Sequence, residues 1–328
     1  MTAPARPARS VGVVLPRDLP PTEVIPFAQR AERLGFDELW VVEDLGFRGG
    51  VAQAAAVLAS TTRVTVGVGI LPAGARNVAF AAMEIATLAQ LFPGRVVVGI
   101  GHGMPQWMRS VGAWPGSPLT LLREYTSALT TLLRGEPGPP AGRYVNVADV
   151  RLESAPATPP PLVWGVRGPR SLAAAGAIAD GVVLAEPATP EYIRASIATV
   201  SGGGAGSPTA SLRVVTYDVA AVAASDAAAR ELVRPALAVV GEPDWHPHIA
   251  PLAFADELIA LRERAGTPEA FAAALPDEWV DALALVGTPA RVHEGITARH
   301  RAGATSVILI PVEEDRSAGL ENLAAVLV

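Results

Sequence analysis

The sequence feature that most constrains the fold is a repeated alternation of short apolar runs and longer amphipathic segments along nearly the whole chain. The apolar runs are rich in Val and Ile without alternating polar residues, which is typical of parallel strands that helices cover on both faces. Each run is followed by a segment whose apolar residues recur at helical spacing. The predicted strands cover residues 11–15, 38–42, 64–70, 96–100, 162–166, 181–185, 211–222 and 305–310.

Eight strand–helix units in a single chain favour a closed (β/α)8 TIM barrel over an open doubly wound sheet. A Rossmann-like sheet is the alternative, but no GxGxxG sequence stands at a strand-to-helix turn near the N-terminus. We predict a disordered tail over residues 1–10 and a single barrel domain over residues 11–328.

Three segments depart from the regular alternation. Residues 135–161, after the fourth strand, are rich in Pro and Gly and are predicted to form a surface excursion with a short strand at 143–147. Residues 243–286, after the seventh strand, are predicted to hold extra helices, and residues 201–208 to form a flexible loop. We therefore predict insertions after strands four and seven of the barrel.

The composition excludes several classes of chemistry. All 26 basic residues are arginine and the chain has no cysteine, which rules out Schiff-base lysines, the P-loop lysine, cysteine nucleophiles, disulfides and thiolate metal sites. A formal net charge of -6 argues against nucleic-acid binding. No apolar run approaches the ~18 residues that span a bilayer, and no signal core follows the first residues. We therefore expect a cytoplasmic protein without a membrane partner.

In a TIM barrel the active site lies at the carboxyl ends of the strands, so the residues after each predicted strand are the candidates for chemistry. Glu43 and Asp44 follow the second strand. Either could act as an acid or base if burial raised its pKa; the alternative is a helix cap or a solvated acidic turn. Gly69 and Ile70 end the third strand, where either a non-prolyl cis peptide bond or a simple turn is possible.

Gly101, His102 and Gly103 follow the fourth strand. Small residues there let the backbone approach a flat ring or a phosphate closely. His102 is one of five histidines, and it is either catalytic or a buried, hydrogen-bonded side chain. No second histidine lies at metal-ligand spacing from it, and His246 and His248 form an isolated HxH pair, so we predict no metal site.

The fifth strand leads into a turn that opens a helix. The turn consists of Gly165, Val166, Arg167, Gly168, Pro169, Arg170 and Ser171. Backbone N–H groups at a helix N-terminus, the helix dipole and guanidinium groups together favour anions. We predict that this turn binds a phosphate group. Many barrels bind phosphate after the last two strands. A phosphate site after the fifth strand therefore indicates a smaller set of TIM-barrel families.

Several segments, taken in order, resemble the bacterial luciferase-like superfamily of flavin- and deazaflavin-dependent oxidoreductases. They are AERLGFDELWVVE at 31–43, STTRVTVGVGI at 60–70, GRVVVGIGHG at 94–103, GPRSL at 168–172, ADG at 179–181, LVGTP at 285–289 and AGATSVIL at 302–309. The ordered set is specific and covers nearly the whole chain. The resemblance is closest to the methylenetetrahydromethanopterin reductase-like branch, which uses coenzyme F420, a deazaflavin.

The resemblance implies a TIM barrel whose cofactor ring lies at the barrel mouth, beside a bulge at the end of the third strand with Gly69–Ile70 as a cis peptide. It also implies that the cofactor phosphate lies between 101–103 and 165–171. The sequence departs from the family pattern at two positions. Asp44 stands where some members have histidine, and Arg170 stands where the phosphate turn often has lysine.

The first hypothesis is an oxidoreductase that transfers a hydride between reduced F420 and an unsaturated small organic substrate with a C=C or C=N bond. Glu43, Asp44 and His102 are the candidate proton donors. The second is an FMN-dependent monooxygenase that receives reduced flavin from a separate reductase, and the third is a non-catalytic flavin-binding relative. Members of the superfamily are commonly homodimers, and the Ala-rich predicted helices at 51–59 and 79–88 could pack two subunits together.

Overall fold

Strands and helices alternate along the part of the chain that the computed structural model describes, residues 9–203 and 212–327. The strands are β1 (Ser10–Val14), β2 (Glu38–Val41), β3 (Thr65–Pro72), β4 (Val96–Gly101), β5 (Leu162–Gly165), β6 (Gly181–Leu184), β7 (Arg213–Val222), β8 (Leu285–Gly287) and β9 (Ser306–Pro311). The helices are α1 (Val24–Leu34), α2 (Gly50–Ser60), α3 (Val78–Leu91), α4 (Pro105–Ser110), α5 (Pro118–Leu133), α6 (Pro169–Ile178), α7 (Pro190–Gly202), α8 (Asp226–Val233), α9 (His246–Ile249), α10 (Ala255–Ala265), α11 (Pro268–Ala274), α12 (Asp277–Leu283), α13 (Pro289–Ala302) and α14 (Arg316–Ala324).

Eight of these strands close into a barrel. Parallel pairing runs in the order β1, β2, β3, β4, β5, β6, β7 and β9, and β9 pairs again with β1. The remaining short strand, β8, pairs with the last residues of β7 and extends the sheet outside the ring. The predicted (β/α)8 TIM barrel is therefore confirmed.

Large side chains fill the inside of the barrel. Trp40 is fully buried and meets Tyr217 edge-on, with the ring centroids 5.7 Å apart. A Cβ at Gly67 would lie 2.2 Å from the Trp40 ring, so glycine is needed at this position of β3 to leave room for the indole. The barrel is thus a packed core whose open end lies at the carboxyl ends of the strands.

A buried polar network closes the opposite end of the barrel, and the sequence did not predict it. The carboxylate of Glu38, which is 4% exposed, accepts hydrogen bonds from Ser10 at 2.6 Å, Ser306 at 2.7 Å and the Trp40 indole at 2.8 Å. Arg213 lies 3.5 Å from the same carboxylate. Because a buried charge is tolerated when it is paired and hydrogen-bonded, this network joins the starts of four strands.

The predicted short strand at 143–147 is wrong. The backbone N–H groups of Arg143, Tyr144 and Val145 all donate to the carboxylate of Glu124 on α5, at 2.9, 2.7 and 3.1 Å. A side chain therefore takes the hydrogen bonds that a neighbouring strand would otherwise accept. The segment forms an irregular connection that packs onto the outside of the barrel.

The helix that follows β7 is short. α8 ends at Val233 and the chain continues as a 3-10 helix over Arg234–Val239, because Pro235 has no N–H to donate and its ring disfavours a continuing α-helix. The predicted tail, apart from Arg9 and Ser10, and residues 204–208 of the predicted loop lie outside the described residues. Ser10 is already part of β1, where it pairs with Ser306.

The segment between β7 and β9 builds a second apolar core against the outer part of β7. It contains helices α8 to α12 together with β8, and its buried side chains include Leu237, Ile249, Phe271 and Leu283. This core holds the segment against the barrel close to the ends of β5 and β6. Among the described residues, no helix is both long and apolar enough to cross a lipid bilayer.

Candidate active site

The residues that sequence analysis selected lie at the carboxyl ends of four consecutive barrel strands. Glu43 and Asp44 follow β2, Gly69 and Ile70 belong to the end of β3, Gly101 to Gly103 end and follow β4, and Gly165 to Ser171 connect β5 to α6. Because β2, β3, β4 and β5 are neighbours in the ring, these segments form one side of the barrel mouth.

Glu43 is held by donors on both carboxylate oxygens. Arg76 donates to Oε1 at 2.8 Å and to Oε2 at 2.9 Å, and the backbone N–H of Gly50, the first residue of α2, donates to Oε2 at 2.9 Å. Burial acts to lower the pKa of Arg76, but the hydrogen bonds to Glu43 and the charge of Glu43 raise it above its ordinary value. The contacts favour the helix-capping interpretation of Glu43 over a role as a proton donor.

Asp44 follows β2 and is partly exposed. Its Oδ2 atom lies 2.5 Å from the Arg17 guanidinium, which also covers the ring of Phe47. The side chain of Asp44 is 24% exposed and that of Arg17 is 48% exposed. Asp44 therefore carries a charge that can act on other groups of the mouth, while one of its oxygens has a cationic partner.

The end of β3 is irregular, as the sequence had suggested. The register of β3 against β4 shifts between Val68 and Leu71, and the Gly69–Ile70 peptide bond is cis. The Ile70 side chain folds over the neighbouring strands, where a Cβ at Gly101 or Gly165 would come within 3.0 Å or 2.5 Å of it. Glycine is therefore needed at both positions to leave room for the Ile70 side chain. Ile70 itself remains partly exposed at the mouth.

His102 joins the loop after β4 to the start of α6. Its Nε2 lies 3.2 Å from Ser171 Oγ, whereas Nδ1 is buried without a partner among the described residues. Burial lowers the pKa of His102, which favours the neutral ring at neutral pH. A neutral imidazole beside a hydroxyl suits hydrogen bonding to a ligand better than protonating one.

The turn before α6 has the features of an anion site. Gly168 is the N-cap of α6, no side chain caps the helix, and a Cβ at Gly168 would meet nothing within 4 Å. Arg170 is exposed in the first turn, and Ser171 faces His102. An uncapped helix N-terminus beside an arginine and a hydroxyl attracts a phosphate.

Arg167 has a different environment from Arg170. Its guanidinium lies over the ring of Trp245 at 4.9 Å and donates to the carbonyl of Asp244 at 3.1 Å. The Trp245 indole in turn donates to the carbonyl of Glu186 at 3.1 Å. Residues that follow β7 in the chain therefore cover the ends of β5 and β6, a contact that the sequence did not reveal.

Two further residues of the mouth were missed. Glu186 follows β6 directly before Pro187, and Tyr217 lies inside the barrel on β7. A Cβ at Gly69 would come within 1.9 Å of the Tyr217 hydroxyl, so this hydroxyl lies directly against the bulge of β3. Burial raises the pKa of Tyr217 well above its ordinary value, and the charge of Glu186 adds to this effect.

The mouth has the features that a flat ring with a phosphate-bearing tail requires. Within the described part of the chain, the buried Nδ1 of His102 lacks a partner and the N-terminus of α6 opens into free space at Gly168. Ile70 adds a partly exposed apolar surface. Apolar contact with a ring and several polar contacts with an anion are the usual composition of a cofactor site. The arrangement is chemically suited to a flavin-type cofactor.

Comparison with known proteins points in the same direction. The family model described as luciferase-like monooxygenase matches residues 4–306. The 5,10-methylenetetrahydromethanopterin reductase of Methanopyrus kandleri is 28% identical over 95% of each chain. The solved coenzyme F420-dependent tetrahydromethanopterin reductase from Methanopyrus kandleri superimposes with a TM-score of 0.82, at 23% identity over 97% of each chain.

A second solved structure represents a different chemistry on the same fold. The oxygenating constituent of 3,6-diketocamphane monooxygenase from Pseudomonas putida, a type II Baeyer-Villiger monooxygenase in complex with FMN, superimposes with a TM-score of 0.69. It is 18% identical over 97% of each chain. At this level of identity the likeness concerns the fold.

Proposed function

The chain belongs to the luciferase-like monooxygenase family, and from this premise we propose that it is an oxidoreductase that uses coenzyme F420 to reduce or oxidise a small organic substrate. The observation that carries the proposal is the partly exposed Ile70 beside the uncapped N-terminus of α6. The similarity to an F420-dependent glucose-6-phosphate dehydrogenase of Microbacterium testaceum, 32% identical over 52% of this chain and 54% of the relative, favours F420 over FMN.

When bound, the deazaflavin would supply or accept a hydride, and the protein would hold the ring and exclude water. Ile70 and Gly69 would provide apolar contact for the ring, with Tyr217 supporting the bulge from inside the barrel. Gly168, Arg170 and Ser171 would hold the phosphate by backbone N–H, guanidinium and hydroxyl donors. The remaining predicted residues, Gly101, His102, Gly103, Gly165, Val166, Arg167 and Pro169, would complete the wall of this site.

We further propose that the substrate carries an activated C=C or C=N bond. Hydride transfer to such a bond creates negative charge that a proton must neutralise. For this reaction the protein must supply an acid and an apolar enclosure. The mouth provides carboxyl groups beside apolar walls. We also propose that the protein works in the cytoplasm, in keeping with a chain without cysteine.

The first test is the binding of F420 itself. We expect saturable binding, followed by the fluorescence of the coenzyme, and we expect Arg170→Gln to weaken it roughly 10- to 100-fold because a charge-assisted hydrogen bond is lost. Arg264→Gln, which changes an exposed arginine of α10, is the matched control and should bind as the wild type does. Wild-type protein that does not bind F420 would rule out this proposal.

The alternative is an FMN-dependent monooxygenase that receives reduced flavin from a separate reductase. The match of residues 4–306 to a family model described as luciferase-like monooxygenase favours it. Both cofactors have a tricyclic ring and a phosphate, so the mouth suits either one. Parallel titration with FMN separates the two, since tighter binding of FMN than of F420 would favour the monooxygenase.

We propose that two subunits associate through the face formed by α2 and α3. On α3 the side chains of Phe80, Met83 and Leu91 are 65%, 54% and 66% exposed. Next to them, the outward face of α2 presents Ala52 and Ala56, which permit close approach of another helix. Large apolar side chains clustered on one face of a soluble protein commonly mark a contact with a second molecule.

The dimer predicts a clear response to added charge. The double variant Phe80→Glu with Met83→Glu should elute as a monomer in size-exclusion chromatography with light scattering, whereas the wild type elutes as a dimer. Leu232→Glu alters an apolar side chain of α8 that is 40% exposed and should leave the dimer intact. A wild-type monomer at micromolar concentration would contradict the proposal.

A further inference from the structure

The two carboxyl groups that the sequence suggested as proton donors already have hydrogen-bonding or ion-pair partners. Both oxygens of Glu43 accept hydrogen bonds from Arg76 or the Gly50 N–H, and Asp44 is paired with Arg17. His102 is neutral because burial lowers its pKa. The mouth therefore needs another acid if a proton accompanies the hydride.

Glu186 is placed for this purpose. It is the second residue after β6, at the carboxyl end of the barrel, and it is partly exposed. No other residue in the described part of the chain donates a hydrogen bond to its carboxylate. Its backbone carbonyl, by contrast, is held by the Trp245 indole at 3.1 Å, so the backbone at this position is anchored by a neighbouring segment.

Glu186 lies within electrostatic reach of other residues of the mouth. β2 and β6 lie four positions apart in the ring of eight strands, on opposite sides of the barrel. The charge of Asp44, which follows β2, nonetheless acts on Glu186, and the charges of both act on Tyr217. Because the Tyr217 hydroxyl lies directly against Gly69 at the bulge of β3, Glu186 is near the place where the ring is proposed to bind.

The surroundings of Glu186 favour its protonated form. Burial has the largest effect and raises the pKa of Glu186, and the charges of Asp218 and Asp44 act in the same direction. Its own backbone N–H and the charge of Arg167 oppose the change without reversing it. A carboxylic acid that holds its proton closer to neutral pH is a better general acid than an ordinary glutamate.

We propose that Glu186 is the residue that exchanges a proton with the substrate, an inference that rests on the proposed F420-dependent function. In the reducing direction one atom of the C=C or C=N bond would receive a hydride, which is one proton with two electrons and which bound F420 would supply. The Glu186 O–H bond breaks and its proton goes to the other atom, which leaves a carboxylate that is protonated again from solvent. In the oxidising direction the carboxylate accepts that proton.

The test begins with Glu186 itself, by carbon-13 NMR of protein labelled at the glutamate carboxyl carbons. We expect one resonance to titrate above the ordinary range, to disappear in Glu186→Gln, and to titrate at lower pH in Asp44→Asn because a neighbouring negative charge is lost. We expect F420 to shift this resonance in the wild type. A Glu186 resonance that titrates normally, or that does not respond to bound F420, overturns the proposal.

The second measurement is catalysis with reduced F420 and a panel of imine and activated-alkene acceptors. Glu186→Gln should lower kcat roughly 100- to 10,000-fold with KM and F420 affinity nearly unchanged, and Glu186→Asp should restore part of the rate with a shifted pH profile. Glu191→Gln, an exposed first-turn residue of α7, is the matched control. Wild-type kcat and pH profile in Glu186→Gln overturn the proposal.

The two proposals fail in different ways. If the wild type does not bind F420, the proposed function is wrong, and the same NMR titration with FMN then decides whether Glu186 still responds to a bound ring. If the wild type binds F420 but Glu186→Gln turns over normally, the proposed function stands and the role of Glu186 is wrong.

Discussion

Replacing Gly69 by alanine should impair both the stability of the barrel and its affinity for F420. A Cβ at Gly69 would lie 1.9 Å from the Tyr217 hydroxyl, 2.9 Å from its ring carbon Cζ and 3.0 Å from the Trp40 ring. None of these atoms is the end of a flexible chain, so the bulge of β3 or the Tyr217 ring must move. Overpacking of this kind costs ~1–3 kcal/mol.

Because Gly69 and Ile70 lie where the ring is proposed to bind, the displacement should also weaken F420 binding more than 10-fold, in line with a cost of at least ~1.4 kcal/mol. Denaturant unfolding and coenzyme fluorescence measure the two effects separately. The matched control is Gly49→Ala, since a Cβ at Gly49 would meet nothing within 4 Å. Because Gly49 is exposed, its replacement should change stability by no more than about 0.5 kcal/mol.

A double variant isolates the contact with Tyr217. Tyr217→Phe removes the hydroxyl, so the nearest atom to the new Cβ becomes the ring carbon at 2.9 Å. Gly69→Ala should therefore cost less in the Tyr217→Phe background than in the wild type, which gives a non-zero coupling energy. Strictly additive effects would show that the hydroxyl does not limit the space at the bulge.

The fold could be predicted from the sequence because its signal is repeated. Each barrel strand is a short apolar run followed by a helix, and an error at one end of a run leaves the order of elements unchanged. The strand at 143–147 was wrong because its residues are suitable for a strand, whereas their N–H groups are taken by Glu124, a residue about twenty positions earlier. Spacing along the chain does not reveal such a contact.

The candidate site was predicted in part, by the rule that chemistry lies at the carboxyl ends of barrel strands. The same rule applies to Glu186, but its position just before Pro187 resembles an ordinary turn. Tyr217 lies within a strand, and its contact with Gly69 depends on how the barrel closes. Trp245 reaches the mouth from a segment more than fifty residues after Glu186, a placement that only the tertiary structure reveals.

His248 should make the protein lose stability as the pH falls below neutrality. The residue lies on α9 and is fully buried, its ring packs on Tyr192 with centroids 4.5 Å apart, and neither ring nitrogen has a partner among the described residues. Burial above all, together with the charge of Arg167, lowers the pKa of His248 to about 3. The folded state therefore holds the neutral ring and resists its protonation.

The sign of the effect follows from linkage. The unfolded chain binds a proton at His248 below the ordinary pKa of 6.5, whereas the folded protein binds it only near pH 3. Stability is therefore unaffected above the ordinary pKa and is lost as the pH falls between these two values. For this one group the loss between pH 7 and pH 4 is about 3 kcal/mol.

The free energy of unfolding, measured with denaturant between pH 7 and pH 4, isolates this contribution. His248→Phe keeps a ring on Tyr192 and cannot be protonated, so its stability should fall less steeply with pH than that of the wild type. Ile249→Val shortens the buried neighbour and should cost ~1 kcal/mol at every pH, which gives a parallel curve. If the wild type and His248→Phe lost stability equally as the pH fell, the pKa of His248 would not be lowered in the folded protein, and the prediction would be wrong.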